Sequence, residues 1–165
     1  MNVLEKYQNY IVAAILAIVL IVSINTALGD AGTMDEVAHI PAGYTYVKFQ
    51  DFRLNPEHPP LLKDLAGIPL QFLDLTFPTD EKFWTTEPNG QWNAGWGFIY
   101  HPDNNTEKIL FWSRFPIILV SLLLGFMIFK WGKELFGVKA GLLALFLYAF
   151  DPNILGHNHY VTTDL

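Results

Sequence analysis

An uncharged apolar run near the start of the chain constrains its fold more than any other feature. The 19 residues from Tyr10 to Leu28 contain no charged side chain. At about 1.5 Å per residue, a helix of this length covers most of a hydrocarbon core about 30 Å thick. A cleaved signal peptide is the alternative, but the run is longer than a usual signal core, and Lys6 is offset by Glu5. The run therefore predicts a transmembrane helix over residues 10–29.

Two further apolar stretches lie near the end of the chain. Phe115 to Phe129 is uncharged, and extending it back past Arg114 gives enough length to span. Gly137 to Phe150 is shorter and is interrupted only by Lys139. Because 52% of the residues are hydrophobic, the chain has more apolar material than a soluble domain of this size needs. We predict a mainly α fold, a multi-pass helical membrane protein with three spans.

Charge placement orients these spans. Lys130, Lys133 and Lys139 cluster around the connection between the second and third spans, which the positive-inside bias places in the cytoplasm. Residues 30–114 hold 12 acids and 6 bases, in agreement with an outside location. We predict a plasma (cytoplasmic) membrane protein with its N-terminus inside. The predicted segments are a cytoplasmic N-terminus (1–9), spans (10–29, 109–131, 138–151), an extracytoplasmic loop (30–108), a cytoplasmic loop (132–137) and the start of a second extracytoplasmic loop (152–165).

The extracytoplasmic loop contains an amphipathic pattern. No cysteine is present, so disulfides cannot hold this loop together. After the Pro59-Pro60 pair, which suits a helix start, the spacing predicts a helix that bends at Pro69. Such a helix can lie in the membrane interface, and a small soluble core is the alternative. Its apolar positions are Leu61, Leu62, Leu65, Ile68, Leu70 and Phe72.

The start of the same loop predicts a second short helix. Thr33 and Glu36 fit a capping box, and apolar residues then recur at helical spacing from Val37 to Val47, with a kink expected at Pro41. Asp35 lies in the first turn, a few residues beyond the predicted membrane surface. A carboxylate there can meet a lipid-borne substrate, although ordinary capping chemistry also accounts for both acids.

Five short motifs follow one another along the chain. They are "DE" at 35–36 with a nearby His39, "NPEHPPLLK" at 55–63, "RFP" at 114–116, "LFG" at 135–137 and "DPNILGHNHYVTTD" at 151–164. In this order they resemble the motifs of the polyprenyl-phosphate-dependent glycosyltransferases of the C-type superfamily, and the protein O-mannosyltransferases and the lipid A aminoarabinose transferases have the most similar pattern. The resemblance covers nearly the whole chain except the aromatic-rich residues 80–108.

This resemblance implies a catalytic role for the acid pair. In the family, an acid of the first outside loop acts as base on the acceptor, and the matching position is Asp35, with Glu36 beside it. The leaving lipid phosphate needs no protonation, because it departs as a stable anion. Lys63, Arg114 and, more weakly, Arg53 are the candidate ligands of that phosphate. A solvated helix face for Lys63 and a membrane anchor for Arg114 are the alternatives.

The resemblance also raises a second acid and a metal. Asp164 matches the second acid of the family, and a frayed surface residue is its alternative. Glu57 matches a glutamate that the aminoarabinose transferases use for a divalent metal, with His58 and His157 as possible nitrogen ligands. Hydrogen-bonded histidines remain the ordinary explanation, because no spacing is diagnostic. The possible cofactor is therefore a divalent metal.

Two functional hypotheses follow from the sequence. The first is the N-terminal part of an integral-membrane glycosyltransferase that acts on the outer face of the membrane. This part would be inactive alone, since three spans are few for this superfamily. Its partners would be a polyprenyl-phosphate sugar donor, membrane lipid, and a protein, lipid or glycan acceptor. The second is a non-catalytic membrane binding or assembly subunit. Nucleic acid is excluded as a partner, because the chain is acidic and has no basic patch interleaved with aromatics.

Overall fold

Helices form most of the chain, which confirms the mainly α prediction. The structure is a computed structural model that describes residues 3–163, and these contain no β-strand. Eight helices are present among the described residues. They are α1 (Val3–Gly29), α2 (Met34–Phe49), α3 (Leu61–Leu70), α4 (Lys82–Thr85), α5 (Gln91–Ile99), α6 (Thr106–Phe136), α7 (Val138–Ala149) and α8 (Pro152–His157).

The helices group into two compact units. The bundle unit consists of the chain up to Thr26 together with Ile118–His159. The loop unit consists of Ala27–Ile117 together with the residues from Tyr160 onward. Helices α1 and α6 therefore contribute residues to both units, and the predicted extracytoplasmic loop forms most of the loop unit.

The bundle unit packs its helices through small residues and a few large apolar side chains. Gly132 on α6 and Gly141 on α7 lie in backbone contact, since a Cβ at Gly132 would be 3.0 Å from the Gly141 Cα. Nearer the other end, the Tyr148 hydroxyl donates to the Ser121 carbonyl oxygen at 2.8 Å. Because the contact nearer Gly137 joins Gly132 to Gly141 and the one farther from it joins Ser121 to Tyr148, helices α6 and α7 run antiparallel. The apolar core of the unit is Val12, Phe129 and Leu145.

In the part of the chain that the structure describes, two helices are long and apolar enough to cross a membrane, namely α1 and α6. Helix α7 has 12 residues, or about 18 Å, which is less than a hydrocarbon core of about 30 Å. The third span thus stays a prediction. Residues 132–136, which we predicted to be loop, are the last turns of α6, so the connection to α7 shrinks to Gly137, whose φ of 86° suits glycine.

Helix α2 is the centre of the loop unit. Most of its side chains are buried, and α3 and α5 pack against it through glycines. A Cβ at Gly43 would lie 1.9 Å from the Lys63 carbonyl oxygen, and one at Gly67 would lie 2.2 Å from the Gly43 carbonyl oxygen. Gly95 brings α5 equally close to the Val37 carbonyl oxygen. The helix also continues through Pro41.

Helix α3 begins at Leu61, directly after Pro60, as predicted. Its buried face, however, is Lys63, Ala66, Gly67 and Leu70, which contains only one of the predicted apolar positions. Leu61 and Phe72 are 65% and 85% exposed. Because the backbones of α3 and α2 lie so close, only small residues fit between them at the contact. Much of the apolar stripe therefore faces outward. The core of the loop unit is thus built largely by other residues, and the interfacial interpretation of the stripe stays a prediction.

Polar side chains fasten α5 to the start of α6. The Asn104 side-chain amide donates to the carbonyl oxygens of Phe98 at 2.7 Å and Thr76 at 2.8 Å. The Thr106 hydroxyl donates to the Ile99 carbonyl oxygen at 2.9 Å. The bonds to Phe98 and Ile99 reach carbonyl groups in the last turn of α5, where a helix leaves carbonyl groups without the usual partner four residues later. Helix α5 is therefore held close to the first turn of α6.

Candidate active site

The two adjacent acids at the start of α2 have opposite environments. Glu36 is fully buried, whereas Asp35 is exposed. Thr33 is the N-cap, and its backbone N–H donates to Glu36 Oε2 at 2.9 Å, which confirms the predicted capping interaction. Since adjacent helical residues point about 100° apart, one acid faces the interior and the other faces solvent.

Glu36 forms a buried, bidentate ion pair with Arg114. Arg114 Nε donates to Glu36 Oε1 at 2.8 Å, and an Nη donates to Oε2 at 2.8 Å. The backbone N–H of Val161 also donates to Oε1, at 3.2 Å. Both side chains are completely shielded from solvent. The parallel geometry is the strong form of arginine–carboxylate pairing.

Charge and hydrogen bonds keep the Glu36 carboxyl ionised. Burial raises its pKa, but the hydrogen bonds and positive charge of Arg114, with the N–H groups of Thr33 and Val161, outweigh burial and lower the pKa below its ordinary value. A carboxylate in this setting holds its proton poorly and is closed to solvent. Glu36 is therefore placed as an anchor and does not reach an acceptor molecule.

The remaining Arg114 donors bind the end of α1. They donate to the carbonyl oxygens of Ala27 at 3.0 Å, Asp30 at 2.9 Å and Ala31 at 2.9 Å. The guanidinium also lies over the Tyr160 ring, 5.3 Å from its centroid. Carbonyl groups at the end of a helix have no intrahelical hydrogen-bond donor, and Arg114 donates to them instead. This geometry does not support the predicted phosphate contact or the membrane-anchor alternative, because every N–H direction is occupied inside the protein.

Asp35 borders a polar face that also contains two histidines. None of the described residues donates a hydrogen bond to its carboxylate. His39 lies one turn later on the same face of α2, is buried, and shares a hydrogen bond of 2.9 Å between Nδ1 and the Val161 carbonyl oxygen. The exposed His58 ring meets the His39 ring edge-on at 5.2 Å. The face thus contains an exposed carboxylate and two imidazole rings, and burial lowers the pKa of His39.

Lys63 lies inside a cage of oxygen acceptors. Its ammonium group donates to the Asn55 carbonyl oxygen at 2.6 Å, to Asn55 Oδ1 at 2.9 Å, to the His58 carbonyl oxygen at 2.9 Å and to the Tyr46 hydroxyl at 3.2 Å. Lys63 is fully buried, and burial lowers its pKa. These contacts hold the turn at residues 55–58 against α2 and α3. As with Arg114, they leave no donor for the lipid phosphate that we predicted for this residue.

Of the three predicted phosphate ligands, Lys63, Arg114 and Arg53, only Arg53 is exposed to solvent. Its side chain is 46% exposed and pairs with Asp51 at 2.6 Å. An Nη group donates to the Trp84 carbonyl oxygen at 2.6 Å, and the guanidinium lies 4.2 Å from the centroid of the Trp84 indole. Asp51 already neutralises much of this charge, so a phosphate would compete with it.

The three predicted metal ligands are not brought together as a set. Glu57 accepts hydrogen bonds from the side chains of Gln91 at 2.9 Å and Asn89 at 3.3 Å, and the bond from Gln91 is the main cause of its lowered pKa. His157 belongs to the bundle unit and shares a hydrogen bond with the Asn153 carbonyl oxygen. Within residues 3–163, no group of three His, Asp or Glu side chains is arranged to hold a metal ion. The predicted second acid, Asp164, lies outside the described residues.

Sequence reasoning missed Tyr46 and Tyr160. Tyr46 lies on the same face of α2 as Asp35 and His39, and its hydroxyl donates to the Leu54 carbonyl oxygen beside Lys63. Tyr160 donates to Asp30 Oδ2 at 2.6 Å. Polar residues at helical spacing in an otherwise apolar helix would have pointed to Tyr46. No local signal points to Tyr160, because its partner lies 130 residues earlier.

Comparisons of the chain with known protein families, with curated proteins and with solved structures find no match. The resemblance to the C-type glycosyltransferases therefore stays a prediction that rests on the ordered motifs of the sequence.

Proposed function

We propose that the chain belongs to an integral-membrane glycosyltransferase. It would move a sugar from a polyprenyl-phosphate donor to an acceptor on the outer face of the membrane. The observation that carries the proposal is the division of roles at the start of α2: Glu36 is fixed in a buried ion pair, while Asp35 is exposed and accepts no hydrogen bond from the described residues. A general base needs such an accessible carboxylate.

The reaction places one proton on Asp35. An acceptor hydroxyl or amine attacks the anomeric carbon, the bond from this carbon to the phosphate oxygen breaks, and the lipid phosphate leaves as an anion. Asp35 takes the proton that the acceptor loses. Attack from the side opposite the phosphate inverts the anomeric centre. Glu36 and Arg114 act as positioning residues, because they hold the end of α1 and the first turn of α2 around Asp35.

A non-catalytic binding or assembly subunit is the second candidate. One observation favours it. The resemblance assigned Lys63 and Arg114 to the phosphate of the sugar donor, but their N–H groups donate hydrogen bonds to acceptors inside the protein. Under the glycosyltransferase proposal, donor phosphate recognition falls to Arg53 and to residues outside this chain. Donor turnover separates the two candidates.

Transfer of a labelled sugar is the direct test of the function. Membranes that contain the chain as part of its full-length protein are incubated with polyprenyl-phosphate carrying a labelled sugar. We expect the label to move to a non-lipid or lipid acceptor with release of polyprenyl phosphate and inversion at the anomeric carbon. Absence of donor turnover by folded protein, over a panel of hexose and pentose donors, would favour the binding subunit.

The proposed topology has a separate test. We propose that α1, α6 and α7 cross the plasma membrane with the N-terminus inside. The chain has no native cysteine, so single cysteines report without background. Thr86 and Glu134 are both exposed. We expect a membrane-impermeant maleimide to label Thr86→Cys from outside intact cells and Glu134→Cys only after the cells are opened. Labelling of both positions in intact cells would refute this topology.

A further inference from the structure

Three aromatic side chains form an exposed face on α5 and its last turn. Trp92, Trp96 and Tyr100 are spaced four residues apart, and they are 40%, 55% and 40% exposed. The Trp96 and Tyr100 rings stack with centroids 4.9 Å apart. The opposite side of the helix is buried and contains Ala94, Gly95, Phe98 and Ile99. The three aromatic rings are therefore not needed for the core. We call the three rings the aromatic face.

The composition of this helix fits a membrane surface better than water. Residues 91–100 carry no charged side chain. Three neighbouring large aromatic rings exposed to water form an apolar patch, which in a soluble protein marks a binding surface. Indole and phenol rings have an apolar body and a polar edge, and they concentrate where hydrocarbon meets lipid headgroups.

The position of the aromatic face identifies its partner. A Cβ at Gly32 would lie 3.0 Å from the Tyr100 hydroxyl and 3.4 Å from a Leu110 methyl group. Gly32 follows the end of α1 by three residues, and α6 begins six residues after Tyr100. One end of the aromatic face therefore lies beside the end of one apolar helix and the first turns of the other. Asn104 and Thr106 hold it there.

The first turns of α6 carry aromatic rings of their own at this level. Trp112 is 40% exposed, and the rings of Phe111 and Phe115 lie 5.4 and 6.0 Å from its ring. Arg114, two residues further, contacts the Ala27 carbonyl oxygen at the end of α1. The 31 residues of α6 extend over about 46 Å, so a bilayer core of about 30 Å leaves turns of this helix among the headgroups.

We infer that the aromatic face of α5 lies in the lipid headgroup region and docks the loop unit on the membrane surface. The inference rests on the proposed membrane crossing by α1 and α6. It assigns a role to residues 80–108, the part of the chain that the resemblance does not cover. Docking by α5 keeps the start of α2, with Asp35, at the depth of a lipid-linked phosphate, because Gly95 packs against Val37.

Depth-dependent tryptophan quenching tests this docking. The chain is reconstituted in phosphatidylcholine vesicles with bromines near the carbonyl end or near the methyl end of the acyl chains. Single-tryptophan variants retain Trp92, Trp96 or Trp84, with the other tryptophans replaced by Phe. Trp84 is the matched control, because it lies on α4 under the Arg53 guanidinium. Leu123→Trp, at an exposed position within α6, reports the membrane crossing itself.

We expect shallow bromines to quench Trp92 and Trp96 more strongly than deep bromines do, and more strongly than they quench Trp84. Deep bromines should quench Leu123→Trp. If aqueous acrylamide but not brominated lipid quenches Trp92 and Trp96 while Leu123→Trp is quenched, the docking inference is overturned and the membrane crossing stands. If Leu123→Trp is not quenched either, the crossing fails and the docking fails with it.

A second measurement does not depend on the folding of heavily substituted variants. Trp92→Phe with Trp96→Phe in the otherwise unchanged chain keeps two aromatic rings in place. We expect this pair to lower the emission that shallow bromines quench, leaving the share that comes from Trp112, whereas Trp84→Phe leaves this emission unchanged. Equal quenching before and after the paired substitution would overturn the inference.

Discussion

Arg114→Met should lower the free energy of unfolding by about 3–5 kcal/mol, because it leaves the buried Glu36 carboxylate without its partner. It also removes the donors that bind carbonyl groups at the end of α1. Arg53→Met is the matched control: its ion pair with Asp51 is partly exposed, and such pairs contribute about 0–1 kcal/mol. The measurement is denaturant unfolding in a mild detergent, followed by tryptophan fluorescence.

Two additional results sharpen this prediction. Combining Arg114→Met with Glu36→Leu should recover part of the lost stability, since no unpaired charge then remains buried. In the unchanged chain, the Glu36–Arg114 ion pair should also be sensitive to acid, because the folded-state pKa of Glu36 is below its ordinary value. The contribution of Glu36 to the free energy of unfolding is therefore complete above about pH 4.3 and is lost as the pH falls through the lower folded-state pKa. An equal loss of stability in Arg114→Met and Arg53→Met would contradict the structural role of the pair.

The sequence predicted local elements well because their signals are local. The uncharged run from Tyr10 gives α1, the Thr33 N-cap gives the start of α2, and Pro60 gives the start of α3. Each of these signals lies within a few residues of the feature that it specifies. Boundaries of apolar helices were less accurate, since α6 continues beyond the predicted span through charged residues to Phe136.

The sequence could not predict the contacts of the candidate site residues, because these contacts join residues far apart in the chain. A lysine or arginine near a predicted membrane surface suggests a phosphate ligand from composition alone. Only the folded chain shows that Asn55, His58 and Tyr46 enclose Lys63, and that Arg114 pairs with an acid 78 residues earlier. For the same reason, the sequence could not tell which of two adjacent acids is buried. The capping pattern applied to Glu36, but the burial of Glu36 depends on α6 and on Val161.

Asp35→Asn should reduce sugar transfer by roughly 10²–10⁴-fold in the full-length protein, the range typical of lost general acid–base catalysis. Asparagine keeps the size of the side chain and suits the first turn of a helix, but it cannot accept the acceptor's proton. Because Asp35 is exposed and accepts no hydrogen bond from the described residues, stability should be nearly unchanged. Transfer is measured at equal membrane levels of each variant.

Two controls distinguish loss of the base from loss of the fold. Asp80→Asn removes another exposed carboxylate of the loop unit and should leave transfer near wild type. Glu36→Gln should lower stability, because it discharges one partner of the buried ion pair. Wild-type transfer by Asp35→Asn would remove this residue from the chemistry. Equal losses in Asp35→Asn and Asp80→Asn would assign the effect to overall charge.

The ion pair of Glu36 also sets an order of events during synthesis of the chain. Its partners are 78 residues away at Arg114 and 125 residues away at Val161. At a synthesis rate of about 5–20 residues per second, Val161 follows Glu36 by roughly 6–25 s. Until Arg114 has been made, roughly 4–16 s after Glu36, the Glu36 carboxylate lacks its partner and must remain hydrated. The surroundings of Asp35 therefore form late, after α6 and α7 have been made. On a ribosome stalled before residue 114, both Asp35 and Glu36 would still be exposed to water.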